Sequence, residues 1–341
     1  MSQRWKAILP GAFLAFGFCM LVAFNAARPR IMVLQSVGAE SEWARGVDAG
    51  VRAALQSNRR PVSVEWQYLG VDTRSAAGVR ATAAAEAWRA VDRFDPDVLI
   101  AVDDEANESV AREFAGRGGA RVVFVSTDAA PAEYGFAGRT NVAGIAELLP
   151  LSAVRDAFRF TVGDRPLRVS AVAFDGPTGR AELAQVRAFD WSPHRLVEAA
   201  AVGSFDAWKG FVESRGADAE VLLVLSYAGL PLHDGDPVVA DGPAIAAWTE
   251  EHSRPFPLGL HGSYVTHGGG LAIAPSPHDY GFLAMEMALD WVDPSNGSAP
   301  PPLVTSAHFD VAVGAARLKA RGIPVPPIYL EAARMGDRLL P

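Results

Sequence analysis

The chain has 341 residues, half of them hydrophobic and 21% charged, with a formal net charge of −8. This balance excludes a disordered chain and leaves room for two domains of ordinary size. The mild acidity, with no basic stripe and no basic–aromatic interleaving, speaks against a nucleic-acid partner.

Residues 1–30 stand apart. Arg4 and Lys6 precede an uncharged, mostly apolar run from Ala7 to Phe24, and the chain turns polar at Asn25–Arg30. A basic start before an apolar region is the export-signal pattern. At about 18 residues the run is also near the lower limit for spanning a bilayer. Two outcomes follow: a cleaved signal peptide, or an N-terminal anchor retained in the inner membrane by residues 7–24. Either one inserts the segment into the membrane at least transiently and places the rest in the periplasm. Cys19, the single cysteine, lies inside this run. Phe18 before it argues against lipidation, and the remainder has no thiol for a disulfide or a metal.

From Ile31 the pattern alternates strand and helix. Ile31–Gln35 is an apolar run ending at Ser36, and Glu42–Leu55 carries Val47, Val51, Ala54 and Leu55 on one helical face. Val62–Leu69 alternates as a strand and Thr73–Val91 is Ala-rich and helical. Asp97–Val102 ends at Asp103-Asp104-Glu105, a helix is predicted over Glu105–Arg117, and Val122–Val125 ends at Ser126-Thr127-Asp128. Apolar strand, polar tip and helix in alternation predict a parallel sheet covered on both faces. Ligands bind such sheets beyond the carboxyl ends of the strands.

Asn141–Gly144 reads as a strand crossing to a second half, and Glu147–Phe160 as the first helix beyond it. The alternation restarts with strands at Leu167–Phe174, Leu196–Ala200 and Glu220–Leu225, and helices at Thr178–Phe189 and Asp206–Arg215. A Gly/Pro/Asp-rich excursion, Gly229–Val239, precedes a helix at Gly242–His252. Short strands at Pro257–Leu260 and Leu271–Ala274 flank His261-Gly262-Ser263-Tyr264, as in a hairpin. A helix follows at His278–Trp291, then a linker at Asp293–Pro302. The chain closes with a strand near Thr305–Phe309, a helix at Val311–Arg321 and a Pro-rich tail, Ile323–Pro327. The fold class is therefore α/β: two Rossmann-like lobes with parallel sheets joined by a hinge. The two halves are of similar size and join near Asn141.

Catalytic and cofactor motifs fail in turn. His267-Gly268-Gly269-Gly270 matches an esterase oxyanion-hole motif, but no G-x-S-x-G elbow exists to supply its nucleophile. The histidines lack H-E-x-x-H or H-x-H spacing, and no phosphate-binding G-x-x-x-x-G-K-[ST] or G-x-G-x-x-G loop is present. No catalytic residue, cofactor or metal site is assigned. Asp103, Asp104 and Glu105 have two readings: they offset the dipole of the helix they start, or they meet a cationic ligand group. Trp43, Tyr68, Tyr227 and Tyr264, at strand ends or helix starts, are placed to sandwich a planar ligand.

The residues also resemble a family, the exported substrate-binding proteins of ATP-binding-cassette transporters, in particular the type I group with tryptophan- and tyrosine-binding members. Asn141-Val142-Ala143-Gly144 is similar to its N-V-T-G crossing strand, with Leu148-Leu149-Pro150 following. Val125-Ser126-Thr127-Asp128 with Gly135 resembles its strand-to-loop segment ending in T-D-P, although Ala129 and Ala130 stand where the proline is usual. His278-Asp279-Tyr280-Gly281 resembles its glycine-led helix. Ala316 to Pro327 is similar to its closing A-x-x-L-G-I-x-x-P-P. The resemblance implies a type I periplasmic-binding-protein fold, with lobes of 31–143 plus about 277–296 and 144–276 plus about 303–341, that closes by hinge motion on a small molecule and presents it to an ABC permease. The ligand contacts expected are Ser36, Glu42, Trp43, Asp103, Asp104, Ser126, Thr127 and Asp128 from the first lobe. Asp175, Thr178, Ser226, Tyr227, His261 and Tyr264 are expected from the second, with Asn141, Val142, Ala143 and Gly144 as hinge. The acidic groups in this set point to an amine-bearing or aromatic ligand. A membrane-anchored sensory module with the same lobes is the alternative reading; a hydrolase is third, for want of a nucleophile–base pair.

Overall fold

Apolar runs with no polar face can be buried on both sides only in a parallel sheet flanked by helices. The computed structural model describes residues 13–22, 28–71, 75–127, 131–293, 295, 303–306 and 308–341. Its first half runs β1 (Arg30–Gln35), α1 (Glu42–Ser57), β2 (Ser63–Tyr68), α2 (Ala77–Phe94), β3 (Val98–Val102), α3 (Asp103–Ser109), β4 (Arg121–Val125) and β5 (Val142–Ala146). The second half begins with α4 (Leu151–Thr161), β6 (Arg168–Phe174), α5 (Pro177–Ala188), β7 (Arg195–Val202), α6 (Phe205–Glu213) and β8 (Val221–Val224). It continues through α7 (Gly242–His252), β9 (Phe256–Gly259), α8 (Ser263–Thr266) and β10 (Leu271–Pro275). The chain ends with α9 (Pro277–Val292), β11 (Val304–Thr305), β12 (Phe309–Gly314), α10 (Ala315–Ala320), α11 (Pro327–Met335) and β13 (Leu339–Leu340).

Two sheets result. The first is ordered β11-β5-β4-β3-β1-β2 and is parallel throughout. The second is ordered β13-β12-β10-β9-β8-β6-β7, parallel except where β12 runs against β10. Both follow the α/β expectation. In the first sheet, Ile31, Val33, Val98 and Ile100 face one core with α1 and α9. Their sequence neighbours Met32, Leu34, Leu99 and Ala101 face another with α2. Successive side chains alternate faces, so unbroken apolarity means both faces are covered. The second sheet is likewise packed on both faces.

Helices α1 and α9 approach backbone to backbone. A Cβ at Gly281 would overlap the Val47 carbonyl, and one at Gly50 would overlap that of His278. This packing ties α9 to the first sheet although it lies late in the chain. The buried Glu250 fixes the far side of the second sheet. It accepts from the Tyr264 hydroxyl at 2.9 Å, the Gly270 amide at 2.8 Å and Arg321 Nε at 2.8 Å.

Several elements differ from expectation. The segment Val311–Val313, predicted as helix, is strand β12, because Val311 and Val313 alternate into the core beside β10. The expected hairpin around His261–Tyr264 is instead a parallel crossover, β9–α8–β10. Val304–Thr305, expected in the C-terminal lobe, pairs with β5 of the first sheet. The Pro-rich tail continues into α11 and β13. Val142–Gly144, expected as hinge, sits within β5 with β4 beside it, and the Phe124 ring lies over Gly144 where a Cβ would go. Asn141 clamps the preceding loop, its amide donating to Phe114 O at 2.7 Å and accepting from Gly116 N at 2.8 Å. The passage to the second sheet falls just beyond, at 147–150. The chain returns through Ser276 and crosses again between β11 and β12. Asp279 joins those two crossings: its amide donates to Ser276 Oγ at 3.4 Å, and its carboxylate contacts the Ser306 hydroxyl and His308 Nδ1.

Near the N-terminus, residues 13–22 are helical with exposed apolar side chains, Phe13 and Leu21 among them. No described helix is long and apolar enough to cross a membrane.

Candidate functional site

The carboxyl ends of the strands of both sheets converge on one cavity of about 500 Å³, within the range of small-molecule sites. From the first sheet, every main strand delivers a lining residue: Ser36 after β1, Val71 after β2, Asp103–Glu105 after β3, Ser126 after β4 and Glu147 after β5. The facing wall carries Thr178 at the start of α5, Ser226, Tyr227, Ala228 and Gly229 after β8, and His261, Ser263 and His267 around α8. Val239, Ala240 and Gly242 come from the end of the 229–241 excursion.

Two lining residues hold left-handed backbone without being glycine, Asp103 at φ 66° and Ser126 at φ 53°. Such conformations cost energy and persist where the surroundings enforce them. At Asp103 the enforcement is visible. The buried Asn107 amide donates to the Asp103 carbonyl at 2.8 Å and to the Ala101 carbonyl at 3.1 Å. Ser36 Oγ donates to Val102 O at 2.8 Å and accepts from Ala106 N at 3.0 Å. Ser36 therefore braces the β3–α3 corner besides lining the cavity. Glu105 faces Arg80 at 2.8 Å, and Tyr134 donates to Asp104.

Each wall of the cavity carries a polar pair. Ser126 Oγ donates to Glu147, and His261 Nε2 donates to Glu182, whose second oxygen accepts from Ser226 N at 2.8 Å. Burial pushes the Glu147 carboxyl above its ordinary value. The Ser126 hydroxyl and His261 oppose that shift, while Glu182 and Asp104 add to it. Higher on the second wall, Tyr227 Oη lies 2.8 Å from His267 Nδ1. Burial raises the phenol pKa, opposed by a bond with Ser263, and lowers that of His267, opposed by Asp241 and Glu42. A protonated phenol beside a neutral imidazole donates to Nδ1 and leaves the imidazole proton on Nε2. Gly242 permits this placement, since a Cβ there would strike the His267 ring.

The cavity thus brings together Ser36, Trp43, Asp103, Asp104, Ser126, Thr178, Ser226, Tyr227 and His261 of the expected contacts. The others stand elsewhere. Glu42 is exposed and pairs with Arg338 at 2.8 Å. Thr127 is outside the lining, and Asp128 lies outside the described residues. Asp175 faces outward in a pair with Arg180 at 3.0 Å. Tyr264 is fully buried in the second core, because its ring fills the space beside Gly259 and its hydroxyl is taken by Glu250. Tyr68, weighed as an aromatic wall, instead donates to Asp48 at 2.6 Å. Sequence reasoning missed Glu147, Ser263 and His267, and the positioning role of Glu182. The one available signal for Glu147 was its place after a fifth strand. Among the described residues, no group of three His, Cys, Asp or Glu side chains is placed to hold a metal ion.

The fold has counterparts among solved structures. An ABC domain in complex with L-Trp from Streptococcus pneumonia superposes with a TM-score of 0.62 at 14% identity, covering 90% of this chain and 98% of that one. A substrate binding protein with adhesive properties from Clostridium difficile, in a ligand-free, open structure, gives 0.63 at 15% identity, over 88% and 96%. A leucine binding protein from Thermotoga maritima gives 0.51 at 17%, over 80% and 85%. The fold is that of the type I periplasmic binding proteins. No family model and no curated protein sequence matches the chain. The cavity lies between the two sheets, with one wall from each.

Proposed function

We propose that this protein is an exported solute-binding protein that captures a small molecule in the interlobe cleft and delivers it to an ABC transporter. The observation that carries the reading is the cavity of about 500 Å³, lined by strand-end residues of both sheets. A ligand touching both walls binds the closed arrangement better than an open one, so binding shifts the population toward closure. The crossings at 147–150, at Ser276 and between β11 and β12 are the segments about which the lobes would rotate. The neighbours described as a leucine binding protein and a periplasmic ribose ABC transporter support a solute-binding rather than a catalytic role. A periplasmic location, with the N-terminal segment either removed or kept as an anchor, agrees with the basic–apolar start of the chain.

The test is a thermal-shift screen of the purified chain from Arg30 onward against amino acids, amines, purines, aromatic acids, sugars and small peptides, with calorimetry on the hits. A saturable ligand whose affinity falls at least tenfold in Tyr227→Ala supports the reading. Turnover of a bound compound, or no saturable ligand in the screen, would overturn it.

A further inference from the structure

His267 lines the cavity, and only one of its two ring nitrogens has a partner among the described residues. Nδ1 lies 2.8 Å from Tyr227 Oη, whereas Nε2 is neither buried nor hydrogen-bonded there. The other imidazole of the lining, His261, has its Nε2 on Glu182 instead. What His267 Nε2 offers is decided by the phenol, which has one proton to give. Ser263, at the start of α8, bonds that phenol in the sense that lowers its pKa, as a donor. The Tyr227 proton then goes to Nδ1, and the neutral imidazole keeps its own on Nε2. Burial holds both rings neutral, and the acids acting on His267, Asp241 and Glu42, oppose it only in part. The pair is also held in place. The Tyr227 ring meets the fully buried Trp208 edge-on at 5.9 Å, and the Trp208 indole donates to Thr249 Oγ1 at 3.0 Å. Gly242, at the start of α7, leaves room for the imidazole.

We infer, building on the solute-binding reading, that Tyr227 is a positioning residue that holds His267 as a neutral Nε2–H donor, against which the solute places a carbonyl oxygen or an aromatic ring nitrogen. An acceptor is required because the one imidazole lone pair is already taken by the phenol. A donor group of the solute would meet an N–H. A solute with neither leaves that N–H unpaired once the cleft closes over it, and an unpaired polar group lowers affinity. Rigid support of this kind, a ring locked by packing and by a second hydrogen bond, is what makes a recognition group selective.

The test uses the full chain. Long-range proton–nitrogen correlation spectra at pH 7.5 are read at His267, its signals identified by their loss in His267→Gln. They are expected to show the proton on Nε2 in wild type and a mixture of both tautomers in Tyr227→Phe. Calorimetry at the same pH compares probes that differ in one acceptor: nicotinamide and benzamide, acetophenone and ethylbenzene, ribono-1,4-lactone and 1,4-anhydroribitol. In at least one pair the acceptor compound is expected to bind fivefold or more tightly than its partner. That preference should shrink at least threefold in Tyr227→Phe. It should shrink further in His267→Asn, whose amide reaches only the Nδ1 position, than in His267→Gln, whose amide reaches that of Nε2. If Tyr227→Phe does not fold, the wild-type tautomer and the comparison of the two His267 variants decide. A proton on Nδ1 in wild type, or an unchanged tautomer in Tyr227→Phe, would overturn the positioning role. No preference in any pair, or no binding by any probe, would overturn the acceptor requirement. The solute-binding reading falls only if the broader screen also finds no saturable ligand.

Discussion

Arg338 joins the two halves of the molecule. Its Nη1 lies 2.8 Å from Glu42 Oε1, at the start of α1 on the first lobe, and its Nη2 lies 3.1 Å from Asp310 Oδ2, on β12 of its own sheet. The Arg338 side chain is 18% exposed, Glu42 42% and Asp310 25%. The pair with Glu42 exists only while the two lobes keep this juxtaposition, so its free energy belongs to that arrangement. Because Glu42 is nearly half in water, the Coulomb attraction is screened and the pair contributes at most about 1 kcal/mol. That corresponds to a change of about fivefold in the ratio of closed to open molecules. Glu42→Gln removes the interlobe partner and leaves Arg338 held by Asp310. Arg338→Met removes both bonds and so lowers global stability as well. Small-angle scattering of the unliganded chain at low salt should show the open fraction rising by about that factor in either variant. The double variant should open no further than Arg338→Met alone, because the lost pair is the same. The effect should shrink above 0.5 M salt, where the screening length falls below about 5 Å. Equal scattering for wild type and Glu42→Gln at low salt would refute the reasoning.

Three other perturbations follow from named contacts. Gly281→Ala places a methyl against the Val47 carbonyl and should lower unfolding free energy by about 1–3 kcal/mol in denaturant titration; an unchanged midpoint would mean that α1 and α9 can separate freely. Glu250→Ala leaves the partly buried Arg321 guanidinium, the Tyr264 hydroxyl and the Gly270 amide without their carboxylate and should cost about 3 kcal/mol, partly restored by adding Arg321→Met. The pH dependence of Glu147 has a definite sign. Its folded pKa lies above the ordinary 4.5, so its contribution is fully present below that value and is lost as pH rises through the raised one. Glu147→Gln cannot ionise, so its thermal transition should gain on that of wild type between pH 4 and pH 7; parallel curves would show that Glu147 pays no burial penalty.

The fold was legible because burial writes a strong pattern. Strands such as Val98–Val102 and Val122–Val125 are apolar at every position, which only a two-faced sheet requires. Their polar ends gave the strand-end rule something to act on. The pattern failed where one run changed state midway. Val311–Gly314 and Ala315–Ala320 form a continuous Ala/Val-rich segment, and helix and strand propensities differ little across it. Antiparallel pairing with β10, a contact remote in sequence, decides the boundary. Glycines at 50 and 281 were equally opaque, since a mid-helix glycine acquires its meaning only from the helix that presses on it.

Within the site, legibility followed distance along the chain from a strand end. Ser126 and Tyr227 stand directly beyond β4 and close behind β8, where the parallel-sheet rule looks. His267 reaches the same cavity by a route that no local pattern encodes, whereas Glu147 stands directly beyond β5 and is passed over when that strand is read only as a crossing. His267 arrives through the turn after α8 and a gap left by Gly242. Tyr264 shows the converse. It has the same residue type as Tyr227 and a similar offset from its strand, yet the buried Glu250 draws its hydroxyl into the core. The difference between a wall residue and a core residue is therefore set by which polar partner is nearest. For Tyr227 that partner is an imidazole lining the cavity, and for Tyr264 it is the buried carboxylate of Glu250. Both rings pack in the same apolar cluster of the second sheet, so the partner of the hydroxyl, not the burial of the ring, separates their roles.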